Sequence, residues 1–194
     1  MTASLQVWSH LKMAGLARSR DPGRTAKFGL CGHLPPGEPM GSTVEIRAAT
    51  SADTNAISHT IVRALRETNA RDYPAHVIAA VAENFSPERV AAQIAARQVY
   101  VAVIDGMVIG TASLHGRVVR SVYVDPQHQG KGVGARLMDT IEQLAREQTI
   151  DTLSVPASIT AQAFYQQRGY VVVRDEFHGD ERTIIMKKSL DRVL

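Results

Sequence analysis

The stretch V-D-P-Q-H-Q-G-K-G-V-G-A-R-L-M, residues 124–138, decides the fold, because it joins a β-rich run to an amphipathic helical pattern. Three glycines alternate within it, at Gly130, Gly132 and Gly134. Glycine adopts positive φ without strain and lets another group approach the backbone closely. The first N–H groups of a helix have no partner inside it and carry partial positive charge, to which Lys131 adds a full charge. The stretch therefore predicts a phosphate site at a helix N-terminus.

The glycine spacing is compatible with more than one kind of site. A loop that merely needs positive φ is the simplest interpretation. A P-loop is excluded, because it requires Ser or Thr after its lysine and Gly132 follows Lys131. The dinucleotide pattern G-x-G-x-x-G/A is met by Gly130, Gly132 and Ala135. Against that pattern, residues 125–129 separate the glycines from their strand, the next strand lacks an acidic end, and only about 36 residues follow it.

Working outward from this stretch, the apolar periodicity predicts an ordered series of strands and helices. Residues 43–48 alternate as a strand does, and Thr50 or Ser51 caps a helix that extends to about Asn69. Asp105-Gly106 predicts a tight hairpin turn between two strands, and His115-Gly116 predicts another turn. The remaining helices are predicted at 75–82, from Ser86-Pro87 onward, at 133–148 and at 160–167, and the remaining strands at 118–124, 152–156, 170–174 and 183–187.

A second motif lies beyond the glycines, in S-I-T-A-Q-A-F-Y-Q-Q-R-G-Y, residues 158–170. It resembles the pattern N-x-x-A-x-x-x-Y…G-[FY], with Ser158 where asparagine is usual, and Q-G-K-G-V-G has the form [Q/R]-x-x-G-x-[G/A]. Together, in this order and context, the two motifs resemble the acetyl-CoA-binding segments of the GNAT superfamily of N-acetyltransferases, and the resemblance covers residues 43–190. It implies an α/β (α+β) fold with a mixed, largely antiparallel sheet of about six to seven strands, splayed at its middle, with helices on both faces.

The resemblance also implies a cofactor, acetyl-CoA, in the gap of that sheet. Tyr165 would protonate the departing thiolate, because a phenol with a reference pKa of about 10 is protonated at neutral pH. An N–H near Val124 would stabilise the oxyanion as an amine attacks. Backbone groups of Val122 and Val124 would pair with the pantetheine arm. The residues implied to bind the cofactor are Val122, Tyr123, Val124, Gln129, Gly130, Lys131, Gly132, Val133, Gly134, Ala135, Ser158, Ala161 and Phe164.

Neither the general base nor the acceptor site is evident. Related enzymes often use a glutamate on the central strand, but residues 117–124, R-V-V-R-S-V-Y-V, contain no carboxylate. His115, His178 and Asp180 are candidates, although a turn residue without a chemical role is the simpler explanation, and a water relay stays open. Polar residues between the first two helices are acceptor-site candidates, with a solvated connection as the alternative: Glu67, Asn69, Arg71, Asp72 and Tyr73.

Composition and charge bound the remaining function classes. Hydrophobic residues make up 44% and charged residues 21%, as in ordinary globular proteins, and no apolar run is long enough to predict a membrane span. Residues 1–42 hold five basic and two acidic side chains, whereas 43–194 hold 17 of each, so the latter segment has no electrostatic reason to bind nucleic acid. Cys31 is the single cysteine, which excludes an intramolecular disulfide or a four-cysteine zinc site and favours a reducing, cytoplasmic location.

The sequence therefore predicts a flexible or atypical N-terminal extension, residues 1–42, followed by an acetyl-CoA-dependent N-acetyltransferase domain, residues 43–194, that acts on a small-molecule or peptide amine. No cysteine lies in 43–194, so direct transfer in a ternary complex is favoured over an acyl-cysteine intermediate. A non-enzymatic acyl-CoA-binding or sensing domain is one alternative, motivated by the missing strand carboxylate. An NAD-binding oxidoreductase is another. No metal, nucleic acid or membrane partner is expected, and the resemblance leaves a homodimer open.

Overall fold

The computed structural model describes residues 43–190, and the predicted N-terminal extension lies outside the described residues. The order of the elements agrees with the order that the apolar periodicity predicts. Short 3-10 turns at 51–53, 69–71, 83–85, 126–128 and 159–161 connect several of them. The described chain forms β1 (Glu45–Ala48), α1 (Thr54–Glu67), α2 (Ala75–Ala82), α3 (Pro87–Ala96), β2 (Gln98–Ile104), β3 (Met107–His115), β4 (Val118–Val124), α4 (Val133–Glu147), β5 (Thr152–Ser158), α5 (Gln162–Gln167), β6 (Val171–His178) and β7 (Glu181–Ser189).

All seven strands belong to one sheet, in the order β1-β2-β3-β4-β5-β7-β6. Every neighbouring pair is antiparallel except β4 and β5, which run parallel. These two strands pair at Val118 and Ser154, near their beginnings, and the Ser154 N–H donates to the Arg117 carbonyl at 3.0 Å. Beyond that point they part, so the sheet is splayed at its middle as predicted.

The helices cover both faces of the sheet because strand side chains alternate between the faces. On β2, Ala102 packs into the cluster beneath α4, where Leu137 and Ile141 are fully buried. Val101 and Val103 point the other way, into a second cluster formed with α1, α2 and α3. The predicted mixed, largely antiparallel sheet with helices on both faces is therefore confirmed.

The predicted local signals are present at the turns and helix starts. Asp105 and Gly106 both take positive φ, 49° and 78°, as a two-residue turn that matches the strand twist requires. Ser86 caps α3 by accepting a hydrogen bond from the Arg89 N–H at 3.4 Å. The predicted strands of the last hairpin were too short. In the structure, β6 continues to His178 and β7 begins at Glu181. The reason is that β6 is an edge strand with almost every residue exposed, so no apolar alternation marks its second half.

Candidate functional site

A cleft of about 460 Å³ lies where β4 and β5 part. The N-terminus of α4, the end of α1 and helix α5 close its sides. Of the residues implied to bind the cofactor, Lys131 alone does not line the cleft and is exposed. The structure therefore brings together, around one cavity, Tyr165 and the predicted residues Val122, Tyr123, Val124, Gln129, Gly130, Gly132, Val133, Gly134, Ala135, Ser158, Ala161 and Phe164.

The glycine loop shapes one end of this cleft. Gly130 and Gly132 have φ of 72° and 79°, in the left-handed region, and a methyl group at either position would meet no atom within 4 Å. Glycine is therefore required there by conformation and leaves open space beside the backbone. Gly132 caps α4, and the first α4 hydrogen bond runs from the Arg136 N–H to the Gly132 carbonyl at 3.1 Å. The N–H groups of the first helical turn consequently have no intrahelical partner, which is the arrangement that binds an anion.

The position of α4 depends on a glycine that the sequence analysis missed. A Cβ at Gly110 on β3 would lie 3.0 Å from the Leu137 side chain and 3.1 Å from the Tyr123 carbonyl oxygen. Both contacts are shorter than ordinary van der Waals distances, so a side chain at this position would displace Leu137 or the Tyr123 backbone by a few tenths of an ångström. A lone glycine inside a strand pattern, followed downstream by a helix, was the available signal.

Two hydrogen-bonded side chains hold the loop between β4 and α4. Asp125 is buried and accepts a hydrogen bond from Arg63 Nη1 on α1 at 2.7 Å. The Gln129 side-chain nitrogen donates to the Val124 carbonyl at 2.9 Å and to Thr68 Oγ1 at 3.1 Å. These contacts fasten the glycine loop to the end of α1, so this end of the cleft is held in place without a ligand.

The backbone of β4 presents a donor to the cleft. The Asp125 N–H donates to the Ile109 carbonyl of β3 at 2.8 Å. Because adjacent residues of a strand direct their backbone groups to opposite edges, the N–H and C=O of Val124 face away from β3 and toward the gap. Its carbonyl is already bonded to Gln129, as described above, so the Val124 N–H is the group left facing the cleft.

Tyr165 lies on α5 and is 4% exposed. Its ring stacks edge-to-face on Phe164, with centroids 5.1 Å apart, and on Tyr170, at 5.5 Å. Burial raises the pKa of the Tyr165 phenol above its ordinary value, and Arg168 opposes this only in part. The hydroxyl therefore stays protonated at neutral pH, which suits a proton donor.

The candidates for the general base do not lie at the cleft. His115 is at the end of β3, where burial and, secondarily, Arg97 and Arg120 lower its pKa. His178 is exposed on β6, and Asp180 contacts His76 Nε2 at 3.1 Å. Among the described residues that line the cleft there is no carboxylate, and the imidazole among them is that of His128, which the sequence analysis did not single out.

The acceptor-site candidates are mostly engaged in holding the fold. The Tyr73 hydroxyl donates to the Arg182 carbonyl at 2.6 Å and accepts from the Ile159 N–H at 2.8 Å. Asp72 accepts from Thr160 Oγ1 at 2.6 Å.

These bonds clamp the α1–α2 connection to the turn after β5. Glu67 pairs with Arg63 at 3.1 Å, and Arg71 is exposed. Of the five acceptor-site candidates, Asn69 is the one that lines the cleft.

A splayed sheet with a helix N-terminus at the gap defines a class of acyl-transferring α/β proteins, and the comparisons identify the family. Residues 69–190 match the acetyltransferase (GNAT) domain, and the chain belongs to that family. It is accordingly an acyltransferase, and the dinucleotide interpretation of the glycines is rejected.

Three relatives illustrate the similarity. The chain is 27% identical over 135 residues to the uncharacterized N-acetyltransferase YafP of Escherichia coli (strain K12), covering 70% of this chain and 86% of that protein. A GCN5-related N-acetyltransferase from Rhodopseudomonas palustris is 28% identical with a TM-score of 0.72, covering 79% of this chain and all of that one, 100%. YncA, a putative acetyltransferase from Salmonella typhimurium crystallised with its cofactor acetyl-CoA, is 26% identical with a TM-score of 0.53, covering 79% and 97% of the two chains. Within residues 43–190, no helix is long and apolar enough to cross a membrane.

Proposed function

We propose that this protein transfers the acetyl group of acetyl-CoA to a primary amine, directly and within a ternary complex. The observation that carries the proposal is the cleft between β4 and β5, which combines a helix N-terminus at one end with a buried, protonated tyrosine inside. Acetyl-CoA as the cofactor is supported by the family and by YncA, which was crystallised with it.

The residues at the cleft fit a coenzyme A group. The unpaired N–H groups at the start of α4 and the open space beside Gly130 and Gly132 suit its diphosphate. The half-buried Val122 and Val124 suit an extended pantetheine arm along β4. When bound, acetyl-CoA supplies an acetyl group activated as a thioester.

The protein's own groups then have separate tasks in the transfer. The Val124 N–H donates a hydrogen bond to the oxygen that gains negative charge as the amine attacks. Tyr165 gives its hydroxyl proton to the sulfur as the carbon–sulfur bond breaks. The described residues that line the cleft include no carboxylate, so the attacking amine loses its own proton through water or to the imidazole of His128, which lines the same cleft. Direct transfer is favoured over an acyl-cysteine intermediate, because no cysteine occurs in the sequence after residue 31.

The test is a thiol-release assay with acetyl-CoA over a panel of amine classes, run on wild type and on Tyr165→Phe. We expect the variant to lose roughly 100-fold or more in kcat, the usual contribution of a positioned acid, while its Kd for CoA is unchanged. Tyr100→Phe is the matched control, because it deletes the same hydroxyl on β2, outside the cleft. Undiminished turnover of Tyr165→Phe would remove Tyr165 as the acid.

The alternative hypothesis, a non-enzymatic acyl-CoA-binding domain, was motivated by the missing strand carboxylate, and membership of an acetyltransferase family argues against it. This candidate predicts binding of acetyl-CoA by calorimetry together with no thiol release for any amine in the panel. Turnover of a single amine class above the hydrolysis rate would exclude it.

Three further proposals rest on the sequence. We propose that residues 43–194 form the N-acetyltransferase domain and that the protein is cytoplasmic, and the family resemblance leaves a homodimer as the third, open proposal. The thiol-release rate of a protein that starts at Met40 tests the proposed domain. Cell fractionation with tagged protein tests the location, and light scattering tests the oligomeric state.

A further inference from the structure

The last strand in the order of the sheet, β6, presents apolar side chains at an open edge. Within the described part of the chain, β7 is the one strand beside it. Val171 and Phe177 are 64% and 65% exposed, and Val172 and Val173 are exposed as well. Among residues 43–190, Met107 is the one other large hydrophobic side chain that is exposed to this degree. The exposed apolar surface of the described chain is therefore concentrated on one edge strand.

An edge strand of this kind is a template for pairing, because its outer N–H and C=O groups have no neighbouring strand. A bulge interrupts β6 at Val173, which has no opposite residue on β7. From Arg174 to His178 the pairing with β7 is regular. This segment of five residues is as long as an ordinary strand, so its outer edge can accept a further strand.

The charges on this edge do not oppose the approach of an identical edge. Arg174 Nε donates a hydrogen bond to the Glu176 carboxylate at 3.0 Å. Asp175 accepts one from Arg182 Nη2, on β7, at 2.9 Å. The two arginines and two acids sum to zero net charge. Charged side chains normally keep edge strands apart, but here each charge already has a partner of opposite sign.

The alternation of side chains restricts how two copies of β6 can pair. Arg174 and Glu176 lie on one face of the sheet, and Asp175 and Phe177 lie on the other. In an antiparallel pair, residues directly opposite each other share a face. Two identical strands related by a two-fold axis perpendicular to the sheet must therefore have that axis at a residue. An axis at Asp175 places Arg174 opposite the partner's Glu176, twice by symmetry, and Phe177 opposite the partner's Val173.

Other positions of the axis are less favourable. An axis at Arg174 or at Glu176 sets like charges opposite each other and gains no pair of opposite charges. An axis at Val173 leaves Phe177 beyond the end of the partner's β6. With the axis at Asp175, its two carboxylates face each other, but each keeps Arg182 of its own chain as a counter-charge. The self-complementary position of the axis is thus at Asp175.

We propose that two copies of this chain associate through β6, antiparallel about a two-fold axis at Asp175, so that their two seven-stranded sheets become continuous. A two-fold contact uses the same surface in both copies and closes the assembly at a dimer. This inference rests on the open homodimer proposal and names its interface. It does not depend on acetyl transfer, because no described residue of β6 lines the cleft.

The first test measures the dimer by light scattering over a series of protein concentrations. Val173→Lys puts an ammonium group on the open edge of each copy, and we expect the Kd of the dimer to rise about tenfold or more, because lysine on an edge opposes strand pairing. The matched control is Met107→Lys, which makes the same change at an exposed residue at the start of β3 and should keep the wild-type Kd.

Two outcomes of this test contradict the inference, and they differ in what else they contradict. Wild type that is monomeric at every concentration would overturn both the interface and the homodimer. A wild-type dimer that Val173→Lys leaves unchanged would overturn the interface and keep the homodimer. The Kd for CoA checks that the variant is folded, and Phe177→Lys replaces Val173→Lys if the latter does not bind CoA.

A charge exchange tests the position of the axis. Arg174→Glu and Glu176→Arg each set like charges opposite each other across the interface, so each should raise the Kd of the dimer by about tenfold. The double variant restores opposite charges within each chain and between the chains, and its Kd should return to within about threefold of wild type. A double variant that associates as weakly as the single variants would contradict an axis at Asp175.

Disulfide formation tests the same register without relying on affinity. In a Cys31→Ser background, Asp175→Cys places the two thiols opposite each other at the axis, and mild oxidation should give a covalent dimer. Val171→Cys lies four residues from the axis in each copy, which separates its thiols by roughly 26 Å at about 3.3 Å per residue, so it should stay monomeric under the same oxidation. Equal cross-linking of the two variants would contradict the register.

The segment before the described residues is an alternative occupant of the β6 edge. If residues 1–39 covered β6 of their own chain, the full chain would be monomeric and a protein that starts at Met40 would dimerise. That result would overturn the inference for the full chain. We expect instead that both proteins dimerise with the same Kd, and that Val173→Lys weakens both equally.

Discussion

Asp53 is the residue that ties the start of α1 to β1. Its carboxylate accepts hydrogen bonds from Arg47 Nη1 and Nη2 at 2.8 and 2.7 Å and from the Thr50 N–H at 2.7 Å. The hydrogen bonds from Arg47, with those from Thr50, hold the pKa of Asp53 well below its usual value despite burial. A group whose pKa is depressed by folding stabilises the fold above its unfolded pKa and loses that contribution as the pH falls.

We therefore predict that Asp53→Asn lowers the free energy of unfolding at pH 7 by about 2 kcal/mol, because charge-assisted hydrogen bonds are lost. The difference from wild type should shrink as the pH falls below about 4, the unfolded pKa of an aspartate, since wild type then loses the same interaction. Urea denaturation at pH 7 and at pH 3 measures both values. Glu83→Gln, an exposed change, should have little effect at either pH, and an Asp53→Asn deficit that is constant with pH would contradict the prediction.

At the scale of the element, α4 has two separate tasks. Its first turn faces the cleft, and its apolar side packs against the sheet. Gly132 starts the helix in a left-handed conformation, and Gly110 on β3 makes room for Leu137 in the middle of the helix. The loop that precedes α4 is held to α1 through Asp125 and Gln129. The N–H groups of the first turn are thereby aimed at the cleft before ligand binds, which reduces the ordering cost of binding.

The prediction at this scale compares two glycines with the same conformation. Gly132→Ala and Gly106→Ala each place a methyl group where φ is near 79° and 78° and where nothing lies within 4 Å. Each should cost about 1 kcal/mol of unfolding free energy, the penalty of a left-handed alanine. Only Gly132→Ala should also weaken CoA binding, by about tenfold, because it disturbs the first turn of α4. Calorimetric titration with CoA gives the comparison, and equal Kd values for the two variants would contradict it.

At the scale of the whole molecule, Glu142 joins three elements on one face of the sheet. This α4 residue is 4% exposed and accepts hydrogen bonds from Lys188 Nζ on β7 at 2.7 Å and from Arg168 Nη2, just after α5, at 3.3 Å. Arg168 also pairs with Asp139 at 2.5 Å. The helix that presents Tyr165 is thus fastened to α4 and to the last strand by one buried carboxylate.

Glu142→Gln should lower the free energy of unfolding by about 3 kcal/mol, because Lys188 loses its buried counter-charge and Arg168 keeps only the exposed Asp139. The midpoint of guanidinium chloride unfolding reports this change. Glu147→Gln, one and a half turns further along the exposed side of α4, should stay within about 0.5 kcal/mol of wild type. A similar loss in both variants would show that the effect comes from net charge and not from the buried contact.

Much of the fold could be predicted because its signals are local. The hairpin at Asp105-Gly106, the cap at Ser86 and the apolar stripe of α4 each depend on neighbours within a few residues. The second half of β6 was missed, since an exposed edge strand has no apolar face to mark it. Gly110 was also missed, because its role depends on a helix more than 20 residues further along the chain.

By itself, the sequence determined the order of the elements and placed Q-G-K-G-V-G at a helix start, since turn chemistry and periodicity act over short distances. Its two motifs also indicated the family. Only the tertiary structure decided which polar groups meet across the chain. It showed that Val124 directs its N–H to the gap and that Tyr73 and Asp72 clamp the fold. The reason is physical: burial and electrostatic interaction depend on the distance in space between groups, which the spacing along the chain does not specify.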